Sequence, residues 1–125
     1  MNVIVKRRAL LSALEAAKHT FPDEFIGLFR GKKEGETVTI DELIIAPLST
    51  YSEEYSAYSP WFLPPKMDSV GSFHSHPDGP ALPSRADKEH FAIAGPVHFI
   101  AIPPFTVEST AAFDSKARKI EFKVI

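Results

Sequence analysis

Apolar residues in the N-terminal part of the chain recur at the three- and four-residue spacing of a helix face. Leu10, Leu14 and Ala17 have this spacing, and residues so placed lie on the same side of a helix. Pro22 cannot donate the backbone hydrogen bond of a helix interior, so it stops the helix. The pattern therefore predicts a first helix over Arg8–His19.

The apolar stretches that follow are short and are bounded by glycine or proline, which is typical of β-strands. Residues 24–31, "EFIGLFRG", and residues 37–47, "TVTIDELIIAP", flank the turn-forming sequence "GKKEGE" and favour an antiparallel hairpin. Alternation of polar and apolar residues returns in "DSVGSFHSH", residues 68–76. Three further strands are predicted near the C-terminus, over residues 97–102, 109–114 and 119–125.

A second helix and one long irregular segment complete the predicted order of elements. The sequence "SRADKEHFAIAG" predicts a helix with Ser84 as its N-cap and Gly95 after its end. Residues 48–67 have no sustained period, and loops of this length are usually functional or disordered. The pattern therefore predicts an α+β fold, loosely α/β, in which a mixed sheet and two helices form one domain over residues 1–125.

Composition narrows the chemistry that this chain offers to a partner. The 14 Lys and Arg residues nearly balance the 16 Asp and Glu residues, so the charge gives no reason to expect binding to nucleic acid or to an anionic membrane. Cysteine is absent, which excludes disulfides and thiolate ligands, so any metal must be held by nitrogen and oxygen atoms. No N-terminal run is long enough for a signal peptide or a membrane span, and we expect a cytoplasmic protein.

The densest group of chemically active residues is the stretch "FHSHPDGPALPSRAD". His74 and His76 project from the same face of the predicted strand, with Cα atoms about 6.6 Å apart, so both rings can reach one ion. Ser84 at the helix start puts Asp87 in the first helical turn. If the loop between folds back over the strand end, Asp87 becomes the third ligand. Two histidines and one aspartate leave an open coordination position, which is typical of catalytic rather than structural zinc.

Structural interpretations of the same residues stand beside this one. Ser84 and Asp87 also form a capping-box pattern that needs no catalytic role, although capping explains neither the paired histidines nor the loop between. His90 lies on the same helical face as Asp87; it offers a further ligand or a contact behind the ligands, but a solvated helix position is favoured. We interpret His98 as a hydrogen-bonded core histidine and Ser75, on the opposite face of the strand, as structural.

The complete motif resembles the signature of the JAMM (MPN+) metalloprotease family, which is His-Ser-His, seven residues, Ser, two residues and Asp. The sequence "HSHPDGPALPSRAD" matches every defined position. The upstream sequence "DEFIGLFRG" also fits the family pattern Glu-x-x-Gly-Leu, with Glu24, Gly27 and Leu28. The predicted order of elements is similar to the MPN fold, a curved mixed sheet flanked by two main helices.

The resemblance assigns a role to each residue of the motif. It implies that His74, His76 and Asp87 bind one zinc ion, and it favours zinc over manganese or iron, which nitrogen and oxygen ligands alone do not. Glu24 would take a proton from the attacking water and pass it to the leaving amine. Ser84 would donate a hydrogen bond to the oxyanion of the tetrahedral intermediate.

The resemblance also implies a substrate class. Relatives of this kind hydrolyse the isopeptide bond between the C-terminal diglycine of a ubiquitin-like small modifier and a lysine amine. Two alternatives stay open: a zinc hydrolase that processes the C-terminus of a sulfur-carrier protein, and a non-catalytic MPN scaffold. The resemblance favours a homodimer. The aromatic residues within 51–65 either bind the substrate or cover the sheet of the domain itself.

Overall fold

A computed structural model describes residues 1–45 and 69–125. The helices are α1 (Arg7–Thr20) and α2 (Arg85–Phe91), and a single 3₁₀ turn covers Val107–Ser109. Within the described ranges, neither helix is long and apolar enough to cross a membrane. The strands are β1 (Asn2–Val5), β2 (Ile26–Glu34), β3 (Thr37–Ile44), β4 (Ser69–Ser75), β5 (Val97–Ala101), β6 (Thr110–Asp114), β7 (Lys119–Ile120) and β8 (Lys123–Val124).

The eight strands of the described residues form one mixed sheet in the order β7-β6-β5-β4-β2-β3-β1-β8. The pairs β1–β3, β1–β8 and β4–β5 are parallel, and the others are antiparallel. The edge strands β7 and β8 are joined by only Glu121 and Phe122, a connection that spans at most about 11 Å. A flat sheet would separate these edges by about 34 Å, since adjacent strands lie about 4.8 Å apart. The sheet is therefore curled into an incomplete barrel.

The two helices cover different faces of this sheet. The apolar face of α1 packs into the larger core cluster, which includes Phe29, Phe73 and Phe99 from the central strands. Phe91 of α2 packs into a smaller cluster on the other side, with Ile100, Ala111 and Phe113. Because side chains alternate along a strand, Phe73 on the α1 side puts its neighbour His74 on the α2 side.

The pattern of polar and apolar residues predicts most of these elements correctly. The first helix, the antiparallel hairpin and the second helix with Ser84 as its N-cap are confirmed, as is the mixed α+β sheet with two helices. Several boundaries differ by a few residues. β2 continues through Gly31 to Glu34, so the hairpin turn is shorter than "GKKEGE", and α2 ends at Phe91 before the predicted end near Gly95. The predicted irregular loop over residues 48–67 lies outside the described residues.

Two predictions at the chain ends were incomplete or wrong. The N-terminal strand β1 was missed, because its four residues "NVIV" run into the charged start of α1 without a turn signal. The single strand predicted over residues 119–125 is two separate strands, β7 and β8, at opposite edges of the sheet. The chain changes partner between them, because β7 pairs with β6 whereas β8 pairs with β1, and curling brings these two edges close enough for Glu121 and Phe122 to connect them.

Strand register brings the chain segments of the site together. Ile26 of β2 is paired with His74 of β4, so the residues before β2 lie beside those that follow β4. The Phe25 N–H donates to Ser75 Oγ at 2.7 Å, and the Ser75 N–H donates to the Phe25 carbonyl at 2.9 Å. These two bonds hold Glu24 beside the end of β4 and confirm Ser75 as a structural residue.

The close approach of β4 to β5 generates the first prediction. A Cβ atom added at Gly71 would overlap the backbone carbonyl of Val97 on the paired strand. Because neither strand backbone can move without breaking the pairing, we expect Gly71→Ala to lower the free energy of unfolding by ~3 kcal/mol or more, the upper end for ordinary point mutations. Urea unfolding monitored by circular dichroism measures this loss.

Gly35 provides the matched control. It has a positive φ of 60° but open space around its Cα, and asparagine tolerates this conformation. Gly35→Asn should therefore cost little stability. Equal stability of Gly71→Ala and Gly35→Asn would contradict the close backbone approach at Gly71.

Candidate metal centre

The centre lies where β4 ends and α2 begins. His74 is the second-last residue of β4 and is buried. His76 directly follows the end of the strand and lies on the same side of the sheet as His74. The chain then returns through the proline-rich loop to Ser84 and α2. Since β4 and β5 are parallel strands joined through α2, the centre occupies the carboxyl edge of a parallel pair, where α/β sheets commonly bind ligands.

A capping box fixes the start of α2. The Asp87 N–H donates to Ser84 Oγ at 3.1 Å, and the Ser84 N–H donates to Asp87 Oδ2 at 2.9 Å. These bonds satisfy two backbone donors at the helix start. They also hold the Asp87 carboxylate over the end of β4, although the helix itself is only seven residues long.

The Asp87 carboxylate contacts both motif histidines. Its Oδ2 lies 3.0 Å from His76 Nε2, and its Oδ1 lies 3.5 Å from His74 Nδ1. The carboxylate is buried, and burial by itself would raise the pKa of Asp87. Its hydrogen bonds to His76 and to the Ser84 backbone, together with the charge that the histidines carry when protonated, reverse this effect and lower the pKa of Asp87 to about 2. Asp87 is therefore ionised at neutral pH.

His74 is neutral at the same pH. Its side chain is only 2% exposed, and this burial lowers the pKa of His74 to about 3 in spite of the attraction to Asp87. The 3.5 Å approach to Asp87 is therefore not an ion pair. Of the two ring nitrogens, Nδ1 has no hydrogen-bond donor or acceptor among the described residues.

His76 behaves differently because it is less buried. Its Nδ1 lies 3.1 Å from the Pro80 carbonyl, and since a carbonyl only accepts, Nδ1 carries a proton. Burial lowers the pKa of His76, but its hydrogen bonds to Asp87 and to the Pro80 carbonyl outweigh this and raise it. In the neutral ring, the Nε2 lone pair then points at Asp87.

Glu24 completes the group from the β2 side. Ligand atoms of Glu24, His74 and Asp87 lie within 4.8 Å of one another, the one such cluster among the described residues. The pKa of Glu24 is raised to about 7. Burial is the main cause, His76 opposes it by lowering the pKa, and Asp87 adds to it by raising the pKa. The structure thus brings together the five residues singled out in the sequence.

The donor set fits a divalent metal. His74 Nδ1, which has no hydrogen-bond partner among the described residues, lies 3.5 Å from an Asp87 carboxylate oxygen, so a cation bound between these two atoms would be a partner for both. His74, His76 and Asp87 are the nitrogen and oxygen ligands that zinc accepts. Without cysteine, no thiolate competes for the ion.

Two other histidines lie behind the centre. His98 is fully buried and bonded at both nitrogens, to Ser72 Oγ at 2.7 Å and to the Gly95 carbonyl at 2.8 Å, which confirms it as a core histidine. The solvated helix position expected for His90 was wrong, because α2 turns this ring inward, 5.2 Å from the ring of His74.

Ser72 is the residue that the sequence analysis missed. Its hydroxyl lies 3.0 Å from His74 Nε2, two residues along the same strand face. Alternation alone puts Ser72 and His74 on one face. The contact with His98 depends on the pairing of Ser72 with His98 across β4 and β5, which no local pattern reveals.

The raised pKa of Glu24 generates a prediction for the metal-free protein. The folded state binds the Glu24 proton more tightly than the unfolded chain does. The resulting contribution to stability is therefore fully present below about pH 4.5 and is lost as the pH rises through about 7. Glu24→Gln cannot ionise, so its stability relative to the wild type should increase over this range.

Urea unfolding of chelator-treated wild type and Glu24→Gln at about pH 4 and about pH 8 measures the effect. The difference in unfolding free energy between the two proteins at the acidic pH is the internal reference, because residue 24 is then uncharged in both folded proteins. A stability difference that is the same at both pH values would contradict the burial-induced shift of Glu24.

Comparison with known proteins extends over nearly the whole chain. The family model of prokaryotic homologues of the JAB domain matches residues 6–116. A curated protein of Haloferax volcanii, described as a probable metalloprotease, is 36% identical over 126 residues, which cover 94% of this chain and 76% of that protein.

Solved structures of similar proteins share the fold. A structure described as a metalloprotease-like zinc site in the proteasome and signalosome is 30% identical, with a TM-score of 0.75 over 100% of this chain and 99% of the other. A JAB1/MPN domain protein from Archaeoglobus fulgidus is 34% identical, with a TM-score of 0.74 and the same coverage. The chain belongs to the JAMM/MPN family, among the prokaryotic homologues of the JAB domain.

Proposed function

We propose that this protein is a zinc-dependent metalloprotease that cleaves the isopeptide bond between the C-terminal diglycine of a ubiquitin-like modifier and a lysine amine. One observation carries the proposal: ionised Asp87 contacts both motif histidines, with Glu24 beside them. The relatives support the hydrolytic class, since one is described as a probable metalloprotease and another as a metalloprotease-like zinc site.

His74, His76 and Asp87 would hold the zinc ion. When bound, zinc supplies a Lewis acid that polarises the scissile carbonyl and makes water more acidic. The chain contributes two ligands that already have the protonation state that zinc binding requires. His74 is already neutral because it is buried, and Asp87 is already ionised because it is hydrogen-bonded.

Glu24 would transfer protons. A pKa near 7 suits a group that takes a proton in one step and releases it in the next at neutral pH. Its position before β2 is fixed by the paired hydrogen bonds between Phe25 and Ser75. Glu24 would therefore accept a proton from the attacking water and deliver it to the leaving lysine amine.

Ser84 would stabilise the developing negative charge. Its hydroxyl oxygen accepts the Asp87 N–H, which uses one lone pair and leaves the hydroxyl proton available for donation. The residue is exposed at the helix start and can meet a substrate that arrives from solvent. A hydroxyl aimed at an oxyanion contributes more in the transition state than in the ground state.

The substrate class rests on the family and on the chemistry of the tail. A diglycine tail has no side chains and can enter a narrow groove as an extended strand that adds to a sheet edge. The segment predicted to recognise it, within residues 51–65, lies outside the described residues. The homodimer and the cytoplasmic location stay predictions.

Separate roles for the ligands and the base give a paired prediction. Glu24→Gln should reduce turnover by about 10²–10⁴-fold, the usual contribution of general acid–base catalysis, and keep about one zinc per chain. Asp87→Asn keeps a capping oxygen but loses the charge, so we expect it to lose zinc. Metal analysis and a cleavage assay on the same samples measure both quantities.

Glu34→Gln is the matched control, because Glu34 is an exposed glutamate in the hairpin away from the centre. It should keep both zinc and activity. Loss of zinc from Glu24→Gln would make Glu24 a ligand rather than the base, and full activity of that variant would discard both roles.

The substrate itself can be tested with two matched conjugates. One carries a ubiquitin-like modifier on a lysine side chain, and the other carries a peptide extension at the same modifier C-terminus. Faster cleavage of the lysine conjugate supports the isopeptidase. Faster removal of the extension would instead favour processing of a sulfur-carrier protein, and cleavage of neither by the zinc-loaded protein would favour a scaffold.

A further inference from the structure

A chain of buried polar atoms runs behind the metal centre, from His74 through β4 and β5 to the segment that connects α2 to β5. His74 Nε2 lies 3.0 Å from Ser72 Oγ, and Ser72 Oγ lies 2.7 Å from His98 Nδ1. His98 Nε2 lies 2.8 Å from the Gly95 carbonyl. Ser72, His74 and His98 are all at most 2% exposed, so solvent cannot take the place of any partner in this chain.

The carbonyl at the end of the chain sets the direction of every bond. The Gly95 carbonyl only accepts, so His98 Nε2 carries a proton and donates it. In the neutral ring His98 Nδ1 is then an acceptor, and the Ser72 hydroxyl donates to it. Having used its only proton, Ser72 Oγ accepts from His74 Nε2.

The consequence for His74 is a defined tautomer. Its Nε2 carries the proton, so its Nδ1 presents a lone pair to the Asp87 carboxylate 3.5 Å away. In the opposite tautomer the proton would be on His74 Nδ1, and two acceptors, His74 Nε2 and Ser72 Oγ, would face each other. The Ser72 hydroxyl could donate to His74 Nε2 only by turning away from His98. That turn would leave His98 Nδ1 buried without a donor, which costs the desolvation of that nitrogen.

We propose that Ser72 and His98 are positioning residues that hold His74 in the Nε2-protonated tautomer, with Nδ1 directed at the metal site. This assignment rests on the proposed function, because it takes His74 to be a metal ligand. The ring of His98 is itself held in place, stacked on Phe91 with centroids 4.3 Å apart and planes 7° from parallel. Partners behind a histidine ligand commonly fix its tautomer and strengthen metal binding.

A merely structural role makes a different prediction. If Ser72 and His98 only satisfied one another as buried polar groups, removing either would lower stability but leave the tautomer of His74 and the zinc affinity unchanged. Both quantities can be measured without an activity assay.

The first experiment reads the tautomer directly. Nitrogen-15 NMR of the metal-free protein at alkaline pH, with rings assigned by single His→Gln variants, should show His74 protonated at Nε2. His76 should be protonated at Nδ1, because that atom faces the Pro80 carbonyl. Nδ1 protonation of His74 would overturn the proposal, whatever the protein does with zinc.

The second experiment measures zinc affinity by competition with a chromogenic chelator. Ser72→Ala removes the acceptor of the His74 proton, and we expect about 10–100-fold weaker zinc binding. Ser75→Ala is the control, since this equally buried hydroxyl lies on the same strand, faces the other way and bonds the Phe25 N–H. It should lower stability and change zinc affinity by no more than about 3-fold, well below the effect of removing a partner of a ligand.

The third variant acts from a distance. His98→Phe keeps an aromatic ring on Phe91 but removes the acceptor of the Ser72 hydroxyl proton. Ser72 can then donate to His74 Nε2, so a mixture of His74 tautomers and a smaller loss of affinity than in Ser72→Ala are expected. An unchanged tautomer in His98→Phe would overturn the assignment of His98.

The outcomes separate this inference from the proposed function. Equal zinc affinity of Ser72→Ala and Ser75→Ala, in a protein that binds zinc, would overturn the positioning role alone. A wild-type protein that binds no zinc would overturn the proposed function together with the metal-directed part of this inference.

Discussion

A buried ionised carboxylate constrains this fold more than any other group. Asp87 is charged and nearly inaccessible to solvent, a combination that proteins tolerate only when the charge is hydrogen-bonded and paired. Its partners come from the start of α2, from the end of β4 and from the residue after that strand. The return of the proline-rich loop, the first turn of α2 and the orientation of both motif histidines therefore depend on one side chain.

One face of the sheet packs the aromatic core, and the other face carries the polar residues of the centre. On the α1 side, Phe29 packs edge-to-face against Phe73 and Phe99, with ring centroids 6.1 and 5.4 Å apart. Such packing fixes the strands in position. The other face of the same strands carries Ser72, His74 and His98. The polar groups of the centre thus project from strands whose opposite side is a close-packed aromatic core.

The sequence predicted the centre better than it predicted the edges of the fold, for a physical reason. Alternation in a strand put His74 and His76 together, and a helix cap put Asp87 nearby; both rules act over a few residues. Glu24 could be identified only from the family pattern, because it is the register of β2 on β4 that brings Glu24 close to the histidines.

The features that were missed all depend on register between distant segments. β1 and the split of the last strand follow from the curled sheet, and the contact of Ser72 with His98 follows from the β4–β5 pairing. The inward turn of His90 depends on how α2 packs against the sheet rather than on its position relative to Asp87.

Phe91 packs both in an apolar cluster and against histidine rings, which has consequences for protein engineering. It belongs to the smaller apolar cluster with Ile100 and Phe113, and it also stacks on His98 and contacts the ring of His74. Repacking this cluster to raise thermal tolerance would shift the imidazoles as well. Cavity-filling substitutions are better directed to the α1 side, where side chains can be exchanged without touching a titratable ring.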